Sequence, residues 1–467
     1  MSPVLRKGKR TMKSTRMTAF VAVIVTSLLA VFASSVSGAA TNKTITISVA
    51  SLIPGSTQEA KDQFNAQVTE FEKAHPNIKV KPMEYQWLGS TFAAKLAAGT
   101  LPMVFTVPFT DARTLGDNGQ LANLTPLVKK WSYFKKYNPA VLAEGTTAKG
   151  KIVGVPTAAY AQALHYNRKL FAQAGLNPKK PPTTWAQVRA DAKIIADKTG
   201  AAGFAEMGQN DNTAGWILTT LVYALGGRME TGHGTSATAT LNNPYTVQAL
   251  SMLKAMRWTD NSMGSTFDYS WGTINQAFAA GKVGMFINGS DIYTFLVQSA
   301  NVDPSTYGVT TLPVAKNKTA GVMGGGTIAA VRPDIKGDQL AAAVKWMDFY
   351  YEQPLISKSQ AIRNAKTLTA NNQPVGVPTF PVFNKKQYTL ANTWIKPYFN
   401  VPRAQMAPFL NGIFKLKLYA EPPVSTQSVY HALDPVVQAV FSDKNADIVG
   451  LLNNANNVAQ AAIKSGT

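Results

Sequence analysis

"TITISVASLIPGSTQEAKDQFNAQVTEFEKAHPNIKV", residues 44–80, contains three consecutive secondary-structure signals. Apolar and polar residues alternate over 44–49, which predicts a β-strand. Apolar residues then recur at helical spacing between Phe64 and Phe71, and a proline soon afterwards ends that helix. The apolar positions of 78–83 predict a second strand. The stretch is therefore predicted to form a β-α-β unit.

The same order of elements continues beyond this unit. A short helix is predicted over 90–98 and a buried strand over 103–107, and this alternation is typical of an α/β layer with a parallel sheet. A second α/β region follows without a low-complexity linker. Its predicted strands cover 152–156, 163–167 and 307–312, and its helices cover 214–225, 244–258, 272–280, 428–442 and 445–464. The sequence therefore predicts two α/β lobes joined by ordered crossings of one chain.

Basic residues outnumber acidic residues by 46 to 25, which gives a formal net charge of +21. The basic residues are dispersed, with doublets such as Lys129-Lys130 rather than long runs. We interpret them as a solvated basic surface, and we do not expect a nucleic-acid partner. The chain contains no cysteine, so it has neither disulfides nor a cysteine that could carry a lipid.

Residues 1–39 have the three parts of a secretory signal peptide. A basic segment that ends at Arg16 precedes an apolar run over 19–33. This run is shorter than the roughly 20 residues that a transmembrane helix needs. Ser37 and Ala39 supply the small residues of a cleavage site. We expect export to a periplasm or to the cell surface, with the first 39 residues removed.

The sequence lacks the signatures of common catalytic and metal sites. Its four histidines lie far apart and have no carboxylate at ligand spacing, so no metal or other cofactor is predicted. No G-x-S-x-G elbow supports a serine hydrolase. The run over 324–329 fits G-x-G-x-x-A, but an exported protein has little use for a dinucleotide. We interpret Gly325 and Gly326 as a turn that permits a close approach of the backbone.

Aromatic and acidic residues near the ends of predicted elements suggest a cleft for a polyhydroxyl ligand. Loops at strand ends line clefts in α/β folds. Aromatic rings there can stack on a sugar while polar side chains bind its hydroxyls. The rings in such positions are Trp87, Tyr160, Trp216, Trp271, Tyr293 and Trp394, and the acids are Asp111, Asp211 and Asp291. Ordinary core packing is the alternative for each tryptophan, and a carboxylate pair for sugar hydrolysis also stays open because such pairs form in space.

Seven stretches together resemble a known family. They are "FEKAHPNIKVK" (71–81), "LAAGTLPMVF" (96–105), "LGDNGQLANLTPL" (115–127), "IVGVPTAAYAQALHYNRKLFAQAGLNPKKPPTTWAQV" (152–188), "AFAAGKVGMFINGS" (277–290), "YGVTTLPV" (307–314) and "GVMGGGTIAAV" (321–331). In this order they resemble the extracytoplasmic solute-binding proteins of ABC importers, in the sugar-binding group that includes maltose-binding protein. The resemblance covers about residues 44–352.

The resemblance implies an α/β fold that is a two-lobed, periplasmic-binding-protein-like clamshell with three interlobe hinge crossings. Lobe 1 is expected over 40–158 plus 310–350, lobe 2 over 159–309 plus 351–467, and the hinges near 157–162, 307–313 and 349–355. A ligand bound between the lobes would favour the closed form. That form would dock on the transmembrane subunits of an ABC permease, which a cytoplasmic ATPase drives. The chain itself is expected to be a monomer that performs no catalysis.

The resemblance also implies where the ligand binds. Binding residues are expected after the first and third strands, at the first hinge, before a helix of the second lobe, in the turn at 289–291 and in the tail. With the aromatic and glycine candidates, the expected set is Ser51, Gly55, Ser56, Trp87, Thr106, Asp111, Tyr160, Gln209, Asn210, Asp211, Trp216, Trp271, Gly289, Ser290, Asp291, Tyr293, Gly325, Gly326 and Trp394.

Two positions depart from the pattern of the family. Asp291 stands where many relatives have an aromatic residue, and Tyr160 stands where some have a carboxylate. We therefore expect the specificity to differ from that for maltodextrins. The leading interpretation is an exported receptor for a sugar or oligosaccharide. A receptor for a polyol phosphate or another small anion is the first alternative, and a secreted glycoside hydrolase is the second.

Overall fold

A computed structural model describes residues 43–232 and 234–465 of the chain. The predicted signal peptide, residues 1–39, lies outside the described residues. Within the described residues, the helices are too short or too polar to cross a membrane.

In the part of the chain that the structure describes, ten strands form two sheets. The strands are β1 (Ile45–Ala50), β2 (Ile78–Met83), β3 (Val104–Pro108), β4 (Gly154–Asn167), β5 (Glu230–Thr231), β6 (Thr238–Ala239), β7 (Met285–Gly289), β8 (Tyr307–Thr311), β9 (Val322–Val331) and β10 (Leu418–Tyr419). The larger sheet has the order β2-β1-β3-β9-β4-β7, with β8 also paired with β4 and β10 with β9. The short strands β5 and β6 pair separately.

Helices surround these sheets and dominate the C-terminal part. They are α1 (Gln58–Ala74), α2 (Gly89–Ala97), α3 (Phe109–Asp117), α4 (Thr125–Val128), α5 (Pro139–Ala143), α6 (Arg168–Gln173), α7 (Trp185–Thr199), α8 (Thr213–Leu225), α9 (Pro244–Trp258), α10 (Trp271–Ala279), α11 (Tyr293–Gln298), α12 (Gly337–Met347), α13 (Gln353–Ile356), α14 (Lys358–Ala370), α15 (Lys385–Ile395), α16 (Arg403–Leu410), α17 (Thr426–Ser442) and α18 (Ile448–Ser465). Short 3₁₀ segments lie at Phe134–Lys136, Gly234–Ser236, Pro304–Thr306, Lys396–Tyr398 and Ile413–Lys415, and Asp348–Glu352 is a π-helix.

The large sheet is mixed rather than parallel. β1 pairs in parallel with β2 and β3, as the β-α-β order predicts. β3 and β4 both pair antiparallel with β9, and β4 pairs antiparallel with β7 and β8. The prediction of a parallel sheet, which was made for the first three strands, is therefore confirmed. Among the later strands, only the short β10 pairs in parallel, with β9.

Strand β4 is a single strand of 14 residues where the sequence predicts two. Its first half pairs with β9, and its second half pairs with β7 and β8. Alanines dominate the middle of β4, and their low strand propensity explains why the pattern breaks there. The register shifts between Pro156 and Ala158, where the proline has no N–H to donate to the ladder. β4 and β9 thus connect the β1-β2-β3 part of the sheet with β7 and β8.

Gly324, Gly325 and Gly326 lie inside strand β9, so the predicted turn is wrong. The close approach is real, but its partner is a protein side chain. A Cβ added at Gly325 would lie 2.2 Å from the Tyr160 hydroxyl oxygen and 2.4 Å from Cζ of the same ring. Glycine is therefore required at this position because Tyr160 crosses directly over the strand.

The third predicted hinge, 349–355, is helical rather than extended. α12 continues into the π-helix Asp348–Glu352 and then into α13. The Tyr133 hydroxyl donates a hydrogen bond of 2.5 Å to Asp348 Oδ1, and Gln353 Nε2 donates one of 2.9 Å to the same oxygen. Glu352 is fully buried, and its carboxyl lies beside the Tyr137 hydroxyl. These polar contacts fix the helix against the segment that precedes α5.

We expect Gly325→Ala to destabilise the protein by about 1–3 kcal/mol, because an added methyl must displace the Tyr160 ring. Chemical unfolding measures the change. Gly89→Ala, at the start of α2, is the matched control, since its Cβ would meet no atom within 4 Å and alanine favours a helix. Equal stabilities of the two variants would contradict the close packing of Tyr160.

Because the chain buries two carboxyls, we expect its free energy of unfolding to fall as the pH rises. Burial raises the pKa of Glu206 and of Glu352 well above the ordinary value. Below about pH 4.3 these groups are protonated in both the folded and the unfolded chain. At higher pH the unfolded chain releases the protons that the folded chain keeps, so unfolding becomes more favourable.

We therefore expect the melting temperature to decrease between about pH 5 and pH 8, as measured by calorimetry at fixed ionic strength. Glu206→Gln and Glu352→Gln remove a titrating group each and should flatten this decrease. Glu59→Gln, on the exposed side of α1, is the control. An unchanged slope in both buried variants would refute this assignment.

Candidate functional site

Three other residues of the predicted site surround Tyr160. A Cβ at Gly289 would lie 3.1 Å from Tyr160 Cδ2 and 2.7 Å from Asp291 Oδ1. On the other side, Gly325 faces the Tyr160 hydroxyl at the distance given above. Tyr160, Gly289, Asp291 and Gly325 thus come together where β4 passes between β7 and β9.

Asp291 follows β7 and keeps accessible surface, although protein surrounds it closely enough to raise its pKa by desolvation. A group with both properties can be reached from solvent but is poorly hydrated. Its neighbour Ser290 is fully buried. The Ser290 N–H donates a 2.9 Å hydrogen bond to the Ala161 carbonyl, and its hydroxyl accepts a weaker one of 3.4 Å from the Ala161 N–H. Ser290 therefore anchors the turn that carries Asp291.

Glu421, which the sequence analysis missed, lies against the same group. Its pKa is raised to about 8, chiefly by desolvation and also by the negative charges of Asp111 and Glu144. Hydrogen bonds from the Tyr430 hydroxyl and the Trp216 indole act in the opposite direction. Glu421 also raises the pKa of Tyr160, together with Asp291 and desolvation. Trp216 is thereby connected to the Tyr160 group through Glu421.

Two more carboxyls, those of Asp111 and Glu144, lie near enough to Glu421 to affect its pKa. Desolvation raises the pKa of Asp111, in the first turn of α3, although a 2.9 Å hydrogen bond from the Thr110 hydroxyl lowers it. Desolvation raises the pKa of Glu144, just after α5, to about 7, and the charge of Arg113 opposes this shift. Asp111 was among the predicted residues, whereas Glu144 was not.

The missed carboxyls had a weak sequence signal. Glu421 lies two residues after β10, a strand of two residues in a tail that shows little periodicity. Glu144 follows α5, a helix of five residues. An acidic residue at an element end in a chain with so few acids is the feature that could have identified both.

The predicted residues near the N-terminus line a surface loop. Ser51, Gly55 and Ser56 follow β1, and the Ser56 hydroxyl donates to the carbonyl of Ile53 at 2.7 Å. Tyr85 lies next to this loop. Its hydroxyl donates a 2.9 Å hydrogen bond to the carbonyl of Thr106, another residue of the predicted site.

Tyr85 connects this loop to the carboxyl group described above. Its N–H donates to the carbonyl of Leu52 at 3.0 Å, and desolvation raises its pKa together with the charge of Asp111. The loop after β1 therefore approaches the site through Tyr85.

The predicted loop before α8 is exposed, and it lies beside the start of α10. Gln209 N–H donates to the carbonyl of Tyr269 at 3.2 Å, two residues before Trp271. Asn210 and Asp211 follow it on the surface, and Asp211 Oδ1 accepts from the N–H of Thr213 at 3.2 Å. The Asp211 charge also raises the pKa of Asp434 on α17.

Four predicted residues contact other side chains or backbone. Tyr293 is buried against Tyr307, with ring centroids 4.9 Å apart, and Trp271 packs on Phe295 at 4.6 Å. Trp87 packs on Phe92 at 4.9 Å. A Cβ at Gly326 would lie 2.2 Å from the carbonyl oxygen of Ala158. These contacts are those of core packing.

Trp394 lies on α15, close to a separate cavity of about 290 Å³. The cavity is mostly apolar and is bounded by Thr157–Ala159, by Pro354 and Leu355, and by parts of α14 and α15. Neither Tyr160 nor the four carboxyls line it. The cavity is therefore distinct from the Tyr160 group.

Among the described residues, no group of three His, Cys, Asp or Glu side chains is placed so that it could hold a metal ion. His165 is fully buried and lies 3.0 Å from the Tyr307 hydroxyl and 3.2 Å from the carbonyl oxygen of Asn288. Desolvation lowers its pKa to about 4, which keeps it neutral. His165 is a core residue.

Solved structures with the same architecture are solute-binding proteins. The cyclic alpha-maltosyl-1,6-maltose binding protein of Arthrobacter globiformis superimposes with a TM-score of 0.70 at 21% identity, over 90% of this chain and 100% of its own. UgpB of Mycobacterium tuberculosis, solved with glycerophosphocholine, has a TM-score of 0.66 at 16% identity, over 91% of this chain and 99% of its own. The fold matches the two-lobed periplasmic solute-binding proteins, as predicted.

Proteins that are similar in sequence are also described as binding proteins. A putative binding protein of Brucella abortus (strain 2308) is 29% identical over 177 residues, which are 38% of this chain and 41% of that protein. The chain therefore matches less than half of the length of this relative. The sn-glycerol-3-phosphate-binding periplasmic protein UgpB of Brucella melitensis is 24% identical over 429 residues, which are 88% of this chain and 90% of that protein.

The family itself is established by a longer match. Residues 54–354 fit the sequence profile described as bacterial extracellular solute-binding protein, and this range is more than half of the chain. Members of this family and the structural neighbours named above are binding proteins. The chain belongs to the bacterial extracellular solute-binding protein family.

Proposed function

We propose that this protein is the receptor of an ABC importer and that it binds a sugar or polyol in a cleft around Tyr160. The observation that carries the proposal is that Asp111 and Glu144 influence Glu421 electrostatically. The first two residues belong to predicted lobe 1, and Glu421 belongs to predicted lobe 2. Polar groups from both lobes therefore face one space, as a ligand enclosed between lobes requires.

The chemistry of this space suits a polyhydroxyl ligand. Tyr160 and Trp216 supply rings, and Asp291 and Glu421 supply oxygens that accept hydrogen bonds. Rings that pack on the apolar face of a sugar, with polar groups around its edge, are the usual composition of a small-molecule site. The other predicted residues, from the loop after β1 to Trp394, remain predictions.

The lobe boundaries follow the strands that cross between the two parts of the sheet. We place the first hinge in β4 near 157–162, where the register shifts and the pairing partner changes from β9 to β7 and β8. The second lies near 307–313 in and after β8, and the third lies in the helical segment 349–355. Lobe 1 would be 40–158 plus 310–350, and lobe 2 the remainder of the mature chain.

A small anion is the second candidate ligand, and it rests on the name of one relative. The Brucella melitensis relative is described as an sn-glycerol-3-phosphate-binding protein. The surroundings of Tyr160 favour a sugar or polyol instead, because carboxyls accept hydrogen bonds from hydroxyls, whereas a phosphate is usually held by cations, and no ion pair of the described residues places a cation on the four carboxyls there. Hydrolysis of a glycoside by a pair of carboxyls is the third candidate function. A ligand that is bound but not consumed would reject this candidate.

The cellular role follows from the family. The protein would be exported with residues 1–39 removed, act as a monomer, and deliver its ligand to the membrane subunits of the permease. The absence of cysteine from the sequence leaves no residue for a lipid anchor at the cleavage site.

A binding screen tests the proposed function. We expect a sugar or polyol to raise the melting temperature without being consumed, since a ligand that binds only the folded chain stabilises it by about 2.7 kcal/mol at a hundredfold excess over Kd. Differential scanning fluorimetry with mono-, di- and oligosaccharides, polyols and sugar phosphates measures the shift, and chromatography of the recovered ligand measures turnover. Stabilisation by phosphates alone would reject the sugar or polyol ligand.

Substitutions test the location of the site. Trp216→Ala removes a ring and a donor to Glu421, and Asp291→Ala removes an acceptor, so each should weaken binding by roughly tenfold to a hundredfold. Trp216→Phe keeps the ring and should cost less. Asp197→Ala, in an exposed ion pair with Lys193, is the control. Calorimetric affinities that are unchanged in both alanine variants would place the site elsewhere.

A further inference from the structure

The cavity of about 290 Å³ beside α15 has no role in the function proposed above. One side of it is formed by Thr157–Ala159 of β4, and another by Pro354 and Leu355 of α13. Residues of α14 and α15 form further sides, and the segment 374–383 between these two helices closes it. Most of the described residues that line it are apolar, and none of them is charged.

The segment 374–383 is anchored to the rest of the protein through its backbone. The N–H of Phe380 donates to the carbonyl of Ala159 at 2.9 Å, which ties the segment to β4. The carbonyl of Val382 accepts from the N–H of Asn138 at 2.9 Å, which ties it to the residues that precede α5. The segment is therefore a wall that is held in place at two points of the fold.

The sequence of this segment also makes the wall stiff. It contains three prolines, at positions 374, 378 and 381, and each of them fixes its own φ angle. Between them, Gly376 has a φ of +94°, and a Cβ there would lie 2.7 Å from Cδ1 of Phe399. Because the wall is stiff and its backbone is bonded elsewhere, it does not collapse inward to fill the space.

Polar side chains that line the cavity already have hydrogen-bond partners in the protein. The Thr157 hydroxyl donates to the carbonyl of Thr327 at 3.2 Å, and Asn392 Nδ2 donates to the carbonyl of Tyr388 at 2.9 Å. Within the described residues, none of the buried side-chain polar atoms that lack a partner belongs to the lining. A buried water needs roughly two to four polar partners, so the cavity is poorly suited to hold water.

The cavity is equally unsuited to a charged ligand. Arg403 contacts the segment 374–383, but it is not part of the lining. Its guanidinium donates to the carbonyl of Gly376 at 2.7 Å and lies over the ring of Phe399 at 4.5 Å. A charged molecule in the cavity would lose its hydration without gaining an ion pair, which is unfavourable.

A molecule can enter the cavity from solvent. Ala158 and Asn364 both line it, and both are exposed. Atoms that line an empty space lack contact partners on one side, so an apolar molecule that fills the space gains those contacts. The volume sets the size of this molecule. An apolar cavity of about 150 Å³ is enough for benzene, so this one has room for about ten carbon atoms.

We propose that this cavity is a second binding site, which takes an uncharged apolar molecule of about ten carbon atoms. The site is distinct from the cleft around Tyr160 and goes beyond the proposed function. Its position gives it a mechanical effect. Thr157–Ala159 belong to the first proposed hinge, and Pro354 and Leu355 belong to the third. A molecule that contacts both would oppose movement between them.

The experiment compares two probes with the same rings and different charge. Naphthalene is uncharged and has the size of the cavity, and naphthalene-2-sulfonate adds a negative charge. Equilibrium dialysis against the mature chain gives the stoichiometry and Kd of each. We expect one naphthalene per chain, with a Kd on the order of 100 µM or lower. The sulfonate should bind at least tenfold more weakly, because its charge finds no partner. Hydrogen exchange should slow in the segment 374–383 when naphthalene is bound.

Two variants fill the proposed site. Ala365→Leu on α14 and Ala391→Leu on α15 each place a larger side chain at a lining position and keep a good helix former. Each should weaken naphthalene binding at least tenfold. Ala66→Leu, at an exposed position of α1, is the matched control and should leave the Kd unchanged. Melting curves verify the folding of each variant, and either filled variant alone suffices for the comparison.

The possible outcomes decide the proposal. Absence of naphthalene binding, as expected for a cavity that holds only water, overturns it. Equal binding of the sulfonate, binding that survives in the filled variants, or unchanged hydrogen exchange in 374–383 also overturns it. Binding of one naphthalene that the filled variants lose and the control keeps supports it. None of these results depends on a sugar, so failure of this inference leaves the receptor function standing.

Discussion

The structure depends on one steric constraint, which is the passage of the Tyr160 ring across two strands at positions without side chains. Gly289 ends β7 on one side, and Gly325 lies within β9 on the other. Any larger residue at either position would meet the ring or the carboxyl of Asp291. This packing joins the two parts of the large sheet at the strand that belongs to both, and it fixes the orientation of the groups around it.

The sequence predicted the parts of the fold that depend on local pattern. The alternation of 44–49 and the helical spacing after it gave β1, α1 and β2 correctly, because each buries one face by a regular period. The antiparallel pairing of β9 with β3 and β4 could not be read in the same way, since it joins segments more than 150 residues apart. The glycines of β9 were read as a turn because their partner, Tyr160, is remote in sequence.

The site shows the same division between local and remote signals. Tyr160, Gly289 and Asp291 were proposed for the site because they occur at or near the ends of elements that the sequence predicts, and the structure brings them together. Glu421 and Glu144 were not proposed because no periodic pattern surrounds them, and only the electrostatic effect of one on the other in the structure connects them. Ser290 was expected to contact the ligand, but its hydrogen bonds with Ala161 hold the turn instead. In the proposed site, Ser290 would therefore support the turn, and its neighbour Asp291 would face the ligand.

The π-helix at Asp348–Glu352 has a consequence for how this chain can change through insertion and deletion. A π-helix contains one residue more than the same length of α-helix, and loss of that residue would rotate everything downstream by about 100° around the helix axis. Glu352 would then leave the interior near Tyr137, and the C-terminal segment would begin in a new direction. This segment therefore tolerates changes of side chain more readily than changes of length, so an alignment gap here would mark relatives whose C-terminal helices are arranged differently.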